Sequence, residues 1–121
     1  MNKVVERKHV LADGTFNGII QFWFYCPGCE RTHPYTIGPQ LNGFGSARWQ
    51  FNGDFEKPTF TPSLLWNPDH PKGRCHLHLT DGIIQFCNDC YHSMNGRKID
   101  CPDISFLPEW LTNPTISHLG K

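Results

Sequence analysis

The sequence predicts a mainly β fold: a single small antiparallel domain over residues 1–121, with a Cys-rich knuckle on a hairpin tip and few helical turns. Three observations lead there. Gly and Pro contribute 11 and 10 residues, whereas Ala occurs only at Ala12 and Ala47, so turn formers abound and helix formers are scarce. Short runs of β-branched and aromatic residues alternate with Asx-Gly pairs, the signature of strands and tight hairpins. A chain of 121 residues also holds one modest core and has no room for two.

The elements follow in order. Val4–Val10 reads as a first strand, closed by the turn Ala12-Asp13-Gly14. Ile19–Tyr25, rich in β-branched and aromatic residues, is the strongest strand candidate and runs directly into Cys26-Pro27-Gly28-Cys29. His33–Ile37 is its return, and the Gly- and Asn-rich stretch Gly38–Ser46 is a loop. Arg48–Phe51 leads into Asn52-Gly53, a two-residue hairpin signal. Thr59–Trp66 is a further strand and Asn67–Gly73 a loop. Cys75–Thr80 and Ile83–Cys87 flank a second hairpin signal, Asp81-Gly82. From Asn88 the pattern turns irregular, with one helical turn expected at Pro108–Leu111.

Charge and composition exclude several function classes. Lys plus Arg equal Asp plus Glu at 11 each, which argues against a nucleic-acid-binding surface. The 38% apolar and 13% aromatic content argues for a packed chain. No apolar run approaches the roughly 18 residues that cross a membrane, and the start, MNKVVERKHV, is too charged for a secretory signal. The expected compartment is the cytoplasm, where cysteines serve as thiols or metal ligands. Six cysteines, an even number, leave three disulfides as the alternative.

Cys26-x-x-Cys29 on a hairpin tip has the form of a zinc knuckle, which supplies half of a tetrahedral site. Cys87-x-x-Cys90 is the obvious second half. The register of the second hairpin qualifies that pairing. With Asp81-Gly82 as a two-residue turn, Leu77, Leu79, Ile84 and Phe86 share the core face. Cys75 lies on that face and Cys90 joins it, whereas Cys87 points the other way. The preferred ligands are therefore Cys26, Cys29, Cys75 and Cys90, with Cys87, His33 and His92 as substitutes. Four thiolates leave no open position, so the zinc is structural. Cys101 reads as a small buried hydrophobe.

The opposite face carries His76, His78, Thr80, Gln85 and Cys87, and Asp89 belongs to it by parity, diagonally across from His76. A His beside a carboxylate is how a general base is oriented. Ser63, on the polar side of its own strand, completes a candidate Ser63–His76–Asp89 arrangement. The plainer reading is three solvated surface side chains.

Cys26-Pro-Gly-Cys29, Trp49-Gln-Phe-Asn-Gly-Asp54, Pro58-Thr-Phe-Thr-Pro-Ser63, Cys75-His76, Asp81-Gly82 and Asp89-Cys90-x-His92 together resemble a family of small phage and prophage proteins. Its members have no known function and often carry the label ammonia monooxygenase. The likeness runs from about Phe22 to Pro102. A Cys-rich knuckle, a Pro-Ser step and a His before the second hairpin are similar, more remotely, to zinc-stabilised serine peptidases that accompany bacterial ubiquitin-like conjugation operons. That resemblance implies Ser63 as nucleophile and His76 as base. It also implies an apolar residue at position 87, consistent with leaving Cys87 out of the metal site.

The function expected is a zinc-stabilised serine hydrolase, a peptidase acting on an extended peptide or ubiquitin-like tail, with a protein or peptide as partner and neither nucleic acid nor membrane. The alternative is a non-enzymatic phage protein that uses zinc for its fold and an aromatic surface for a host protein. Trp23, Trp49, Trp66 and Trp110 are core or interface in that reading. A third possibility is a zinc hydrolase built on His76, His78 and His92.

Overall fold

A computed structural model describes residues 2–70 and 72–104. The expected turn at Pro108–Leu111, and Trp110 with it, lies outside the described residues. Among the described residues, eight strands make up two antiparallel sheets: β1 (Val5–Val10), β2 (Phe16–Cys26), β3 (Arg31–Ile37), β4 (Gln50–Phe51), β5 (Phe60–Trp66), β6 (Cys75–Thr80), β7 (Ile83–Phe86) and β8 (Lys98–Asp100). The first three form one sheet in sequential order and the other five form the second, also in sequential order. The mainly β class expected from composition is what the structure has. Among the described residues no helix is long and apolar enough to cross a membrane.

The two sheets share one buried cluster. Phe22, Phe24 and Tyr35 from the first meet Phe60, Leu64, Leu77, Leu79, Ile84 and Phe86 from the second. Aromatic stacking dominates the seam: Tyr35 lies parallel to Phe60 at 4.1 Å between centroids, and Phe60 lies nearly parallel to Phe51 at 4.6 Å. Such pairs add about 0.5–1.5 kcal/mol beyond their burial, which suits a chain whose core is small.

The second hairpin has the register expected. Asp81 and Gly82 both take positive φ (50° and 76°), as a tight hairpin turn demands. Thr80 then pairs with Ile83, Leu79 with Ile84 and Leu77 with Phe86.

Two expectations need correction. Asn52-Gly53 does not close a two-residue hairpin, because Phe51 pairs with Phe60 and residues 52–59 form a longer loop. The Asn52 side chain organises that loop, accepting from the Asp54 and Thr59 amides and donating to the Lys57 carbonyl. Asp54 does the same for the amides of Glu56 and Lys57. Side-chain capture of backbone amides competes with the tight turn here and wins. The segment after Asn88 also contains a strand, β8, too short and polar to stand out by pattern.

One irregularity in β5 positions the functional site. Phe60 pairs with Leu79 and Leu64 with Leu77, so Thr61, Pro62 and Ser63 together stand opposite the single residue His78. Pro62 has no N–H to give the ladder, and the strand bulges where it sits. Thr61 and Pro62 are exposed, and Ser63 is half-buried.

Candidate active site

Cys75 and His76 open β6, and the pleat turns them to opposite faces of the sheet. Asp89 and Cys90 repeat this in the loop after β7: Cys90 is buried and Asp89 is exposed. Two dipeptides thus each contribute one residue to an inner sulfur cluster and one to an outer polar set.

On the outer side, Ser63 Oγ lies 3.0 Å from His76 Nε2. The other ring nitrogen, Nδ1, lies 3.1 and 3.3 Å from the two Asp89 carboxylate oxygens. An ionised carboxylate only accepts, so Nδ1 carries the ring proton and Nε2 accepts from the Ser63 hydroxyl. His76 and Asp89 side chains are 27% and 46% exposed, open to solvent and to an incoming chain. The backbone of His76 is fixed on both sides. Its N–H donates to Cys90 Sγ at 3.3 Å, and its carbonyl accepts from the Cys87 amide at 2.9 Å. Asn95 bonds both the amide and the carbonyl of Cys90, holding the loop that carries Asp89. The bulge leaves the Ser63 carbonyl to accept the Trp49 indole N–H at 3.2 Å, a contact that no sequence periodicity signals.

On the inner side, one donor atom from each of Cys26, Cys29, His33 and Cys75 lies within 4.8 Å of the others, a grouping that can hold a metal ion. Cys26 and Cys75 sulfurs are 3.8 Å apart. Two thiolates on one tetrahedral zinc, each at about 2.3 Å, stand about 3.8 Å apart, so the spacing fits. The Cys29 amide also donates to Cys26 Sγ at 3.4 Å, across the knuckle. Three thiols this close cannot ionise independently. The hydrogen bond with Cys29 pushes the Cys26 thiol up to about 12, hydrogen bonds with Cys26 and then Cys29 raise Cys75, and Cys29, bonded by Cys26 and Cys75, is held far below the usual thiol range. A divalent cation resolves that competition, because it takes several thiolates at once.

His33 fits the same donor set. Its ring is fully buried, and neither nitrogen makes a hydrogen bond of ordinary geometry among the described residues. Burial, opposed by the Cys29 thiolate, holds it below the usual histidine range, so it is neutral and keeps one lone pair.

His92 and Cys90 form a second group with Cys75. His92 Nδ1 accepts from the Met94 amide at 3.2 Å, so its proton sits on Nε2, which faces Cys75 Sγ at 3.4 Å. That ring donates to sulfur and has no free lone pair to give a metal there. Cys90 Sγ contacts the carbonyls of His76 and Cys87 at 3.2 and 3.5 Å, the pattern of a thiol donating. Of the four ligands that parity favoured, the structure gathers Cys26, Cys29 and Cys75 in one group with His33, and sets Cys90 in the adjoining one. His33 was legible as a substitute, but the apolar pattern of β3 carries no sign that its ring meets the knuckle.

A third group joins His76, Cys87 and Asp89 on the outer side. His78 shares no such group with His76 or His92 among the described residues, so the three-histidine arrangement does not assemble. Cys101 is fully buried, as expected of a small hydrophobe.

The family model for the bacterial ubiquitination-like system serine protease (BubE) matches residues 1–87. The chain belongs to this family. The match includes Ser63, His76, Cys26, Cys29, His33 and Cys75, and ends two residues before Asp89, which rests on geometry alone. No curated protein and no solved structure matches the chain.

Proposed function

We propose that this protein is a serine peptidase in which Ser63 is the nucleophile, His76 the general base and Asp89 the group that orients His76. The observation that carries the reading is the continuous hydrogen-bonded line from Ser63 Oγ through both nitrogens of His76 to Asp89, at 3.0 and 3.1 Å. Membership in the BubE serine protease family supports it from sequence.

In this reading Ser63 Oγ attacks the scissile carbonyl while His76 Nε2 takes its proton. Asp89 stabilises the resulting imidazolium. His76 then returns the proton to the leaving amine, and water, deprotonated by the same ring, hydrolyses the acyl-enzyme. The substrate is an extended peptide segment, the tail of a ubiquitin-like protein, because an open sheet face suits a strand-like ligand better than a compact molecule. Zinc, bound by Cys26, Cys29, Cys75 and His33, is structural. Its full set of protein ligands leaves no place for substrate. The protein works in the reducing cytoplasm, where those thiols stay available.

A fluorophosphonate probe tests the assignment directly. It should label Ser63 in the wild-type chain and fail to label Ser63→Ala or His76→Ala, with metal content and melting temperature of both variants unchanged. Labelling at another residue, or undiminished peptide cleavage by Ser63→Ala, would assign the chemistry elsewhere.

A further inference from the structure

Cys87 has no part in the proposed mechanism, yet it stands beside it. Its sulfur, a nitrogen of His76 and a carboxylate oxygen of Asp89 all lie within 4.8 Å of one another. The three come from different steps of the backbone: His76 from β6, Cys87 from the end of the hairpin and Asp89 from the loop beyond. The Cys87 amide, bonded to the His76 carbonyl at 2.9 Å, fixes the first two relative to each other. Thiol, imidazole and carboxylate form a mixed donor set of the kind that borderline-soft divalent cations take, with one position left to solvent.

We propose that His76, Cys87 and Asp89 form a second, inhibitory site for a borderline-soft divalent cation of the zinc class, separate from the inner sulfur cluster. The inference rests on the catalytic reading for its inhibitory part, and on the donor geometry alone for its binding part.

The inhibition follows from the chemistry of imidazole. A neutral ring has one lone-pair nitrogen and one N–H. In the resting arrangement Nδ1 carries the proton toward Asp89, and Nε2 is free to accept from Ser63. A cation beside Asp89 and Cys87 takes a lone pair of the ring and one oxygen of the carboxylate. If Nδ1 binds it, the ring proton moves to Nε2, which then cannot accept from Ser63. If Nε2 binds it, the base is occupied outright. Both modes stop the transfer, and both release the Cys87 thiol proton to solvent.

The full-length protein carrying its resident metal can be titrated with Zn²⁺ by calorimetry, while fluorophosphonate labelling of Ser63 is followed in parallel. The wild-type chain should take up one equivalent beyond the resident metal, and labelling should fall with the same midpoint. Cys87→Ala should weaken that equivalent by more than the roughly 10- to 100-fold that loss of an outer-shell partner costs. The ratio of labelling with and without added zinc, from which any change in basal rate cancels, should return toward one. Ser63→Ala should still take up the further equivalent, so binding is read even where catalysis is absent. An equal zinc stoichiometry and affinity in wild type and Cys87→Ala would overturn the site. Uptake that leaves labelling unchanged, or raises hydrolysis, would overturn its inhibitory role.

Discussion

Cys75 and His76 share a peptide bond and little of their surroundings. Cys75 is fully buried, with its sulfur 3.8 Å from Cys26 on the other sheet. His76 is partly exposed, with both ring nitrogens hydrogen-bonded to residues of its own sheet and the adjoining loop. The inner region gathers donors from β2, the following turn, β3 and β6, and so joins the two sheets. The outer region draws on the second sheet alone. The dependence is therefore one-way. The outer set can change without loosening the inner, but losing the inner cluster releases the strand that carries His76.

The largest effect should come from breaking the inner region. Cys26→Ser or Cys75→Ser should remove the metal and with it the fold, since structural zinc contributes an apparent 10–16 kcal/mol or so in small domains. Peptide hydrolysis should disappear with it, although neither residue touches substrate. Thermal unfolding with and without a strong chelator is the measurement. A melting temperature unaffected by chelation, with one metal equivalent removed, would contradict the dependence.

The outer region should answer differently. Asp89→Asn should leave metal and melting temperature in place while lowering kcat by about 10⁴ through the wrong His76 tautomer. Ser63→Ala should lose about 10⁶. A loss in Asp89→Asn as large as in Ser63→Ala would mean that Asp89 does more than orient the ring. A loss under tenfold would mean that the loop does not hold it against His76 in solution.

Much of this division was legible before the fold was known, because a hairpin with an Asp-Gly turn has a fixed register. Once Thr80 faces Ile83, the parity of Cys75, His76 and Cys87 follows. Ser63 was placed on a polar face by simple alternation, and it does reach His76, but through the bulge at Thr61–Ser63 rather than through a regular strand. Parity does not describe a bulge. The contacts that cross between sheets were not legible. His33 meets the cysteines because β3 folds back along β2, and no local pattern reports which apolar strand its ring will face. Gly28 belongs to the same class. A side chain there would collide with the His92 ring, so the knuckle must pack against the far loop. Loop lengths failed for another reason: Asn52 and Asp54 capture amides that a hairpin would have left to its ladder.

A finer comparison sits inside the inner region. His33 offers a lone pair, whereas His92 offers an N–H to Cys75. His33→Ala should therefore weaken metal binding by more than His92→Ala, for which an outer-shell loss of about 10- to 100-fold is expected. Cys90→Ser should retain the metal. Competition with a chromogenic chelator measures all three, and a metal-free Cys90→Ser beside an unaffected His33→Ala would exchange their roles.

The smallest effect should come from two tryptophans that differ in one bond. Trp49 donates its indole N–H to the Ser63 carbonyl and lies edge-on to Tyr35 at 5.3 Å between centroids. Trp66 packs against His33 at 4.8 Å, and its buried N–H has no hydrogen-bond partner among the described residues. Phe preserves an aromatic ring at either place and removes the donor. At position 66 that removes an unpaired buried polar group, so the hydrogen-bonding part of the change costs nothing. At position 49 it frees the carbonyl of Ser63, the proposed nucleophile, in a stretch where the bulge has interrupted the ladder. A neutral hydrogen bond contributes about 0.5–1.5 kcal/mol. If the whole of it serves to aim Ser63, kcat in Trp49→Phe should fall by up to about tenfold with KM unchanged. Trp66→Phe should keep kcat, and any change should fall on metal affinity through His33. Equal losses of kcat in the two variants would show that ring volume matters here and the indole bond does not. A fall in melting temperature of Trp49→Phe with no fall in kcat would make its bond a support of the strand rather than of the nucleophile.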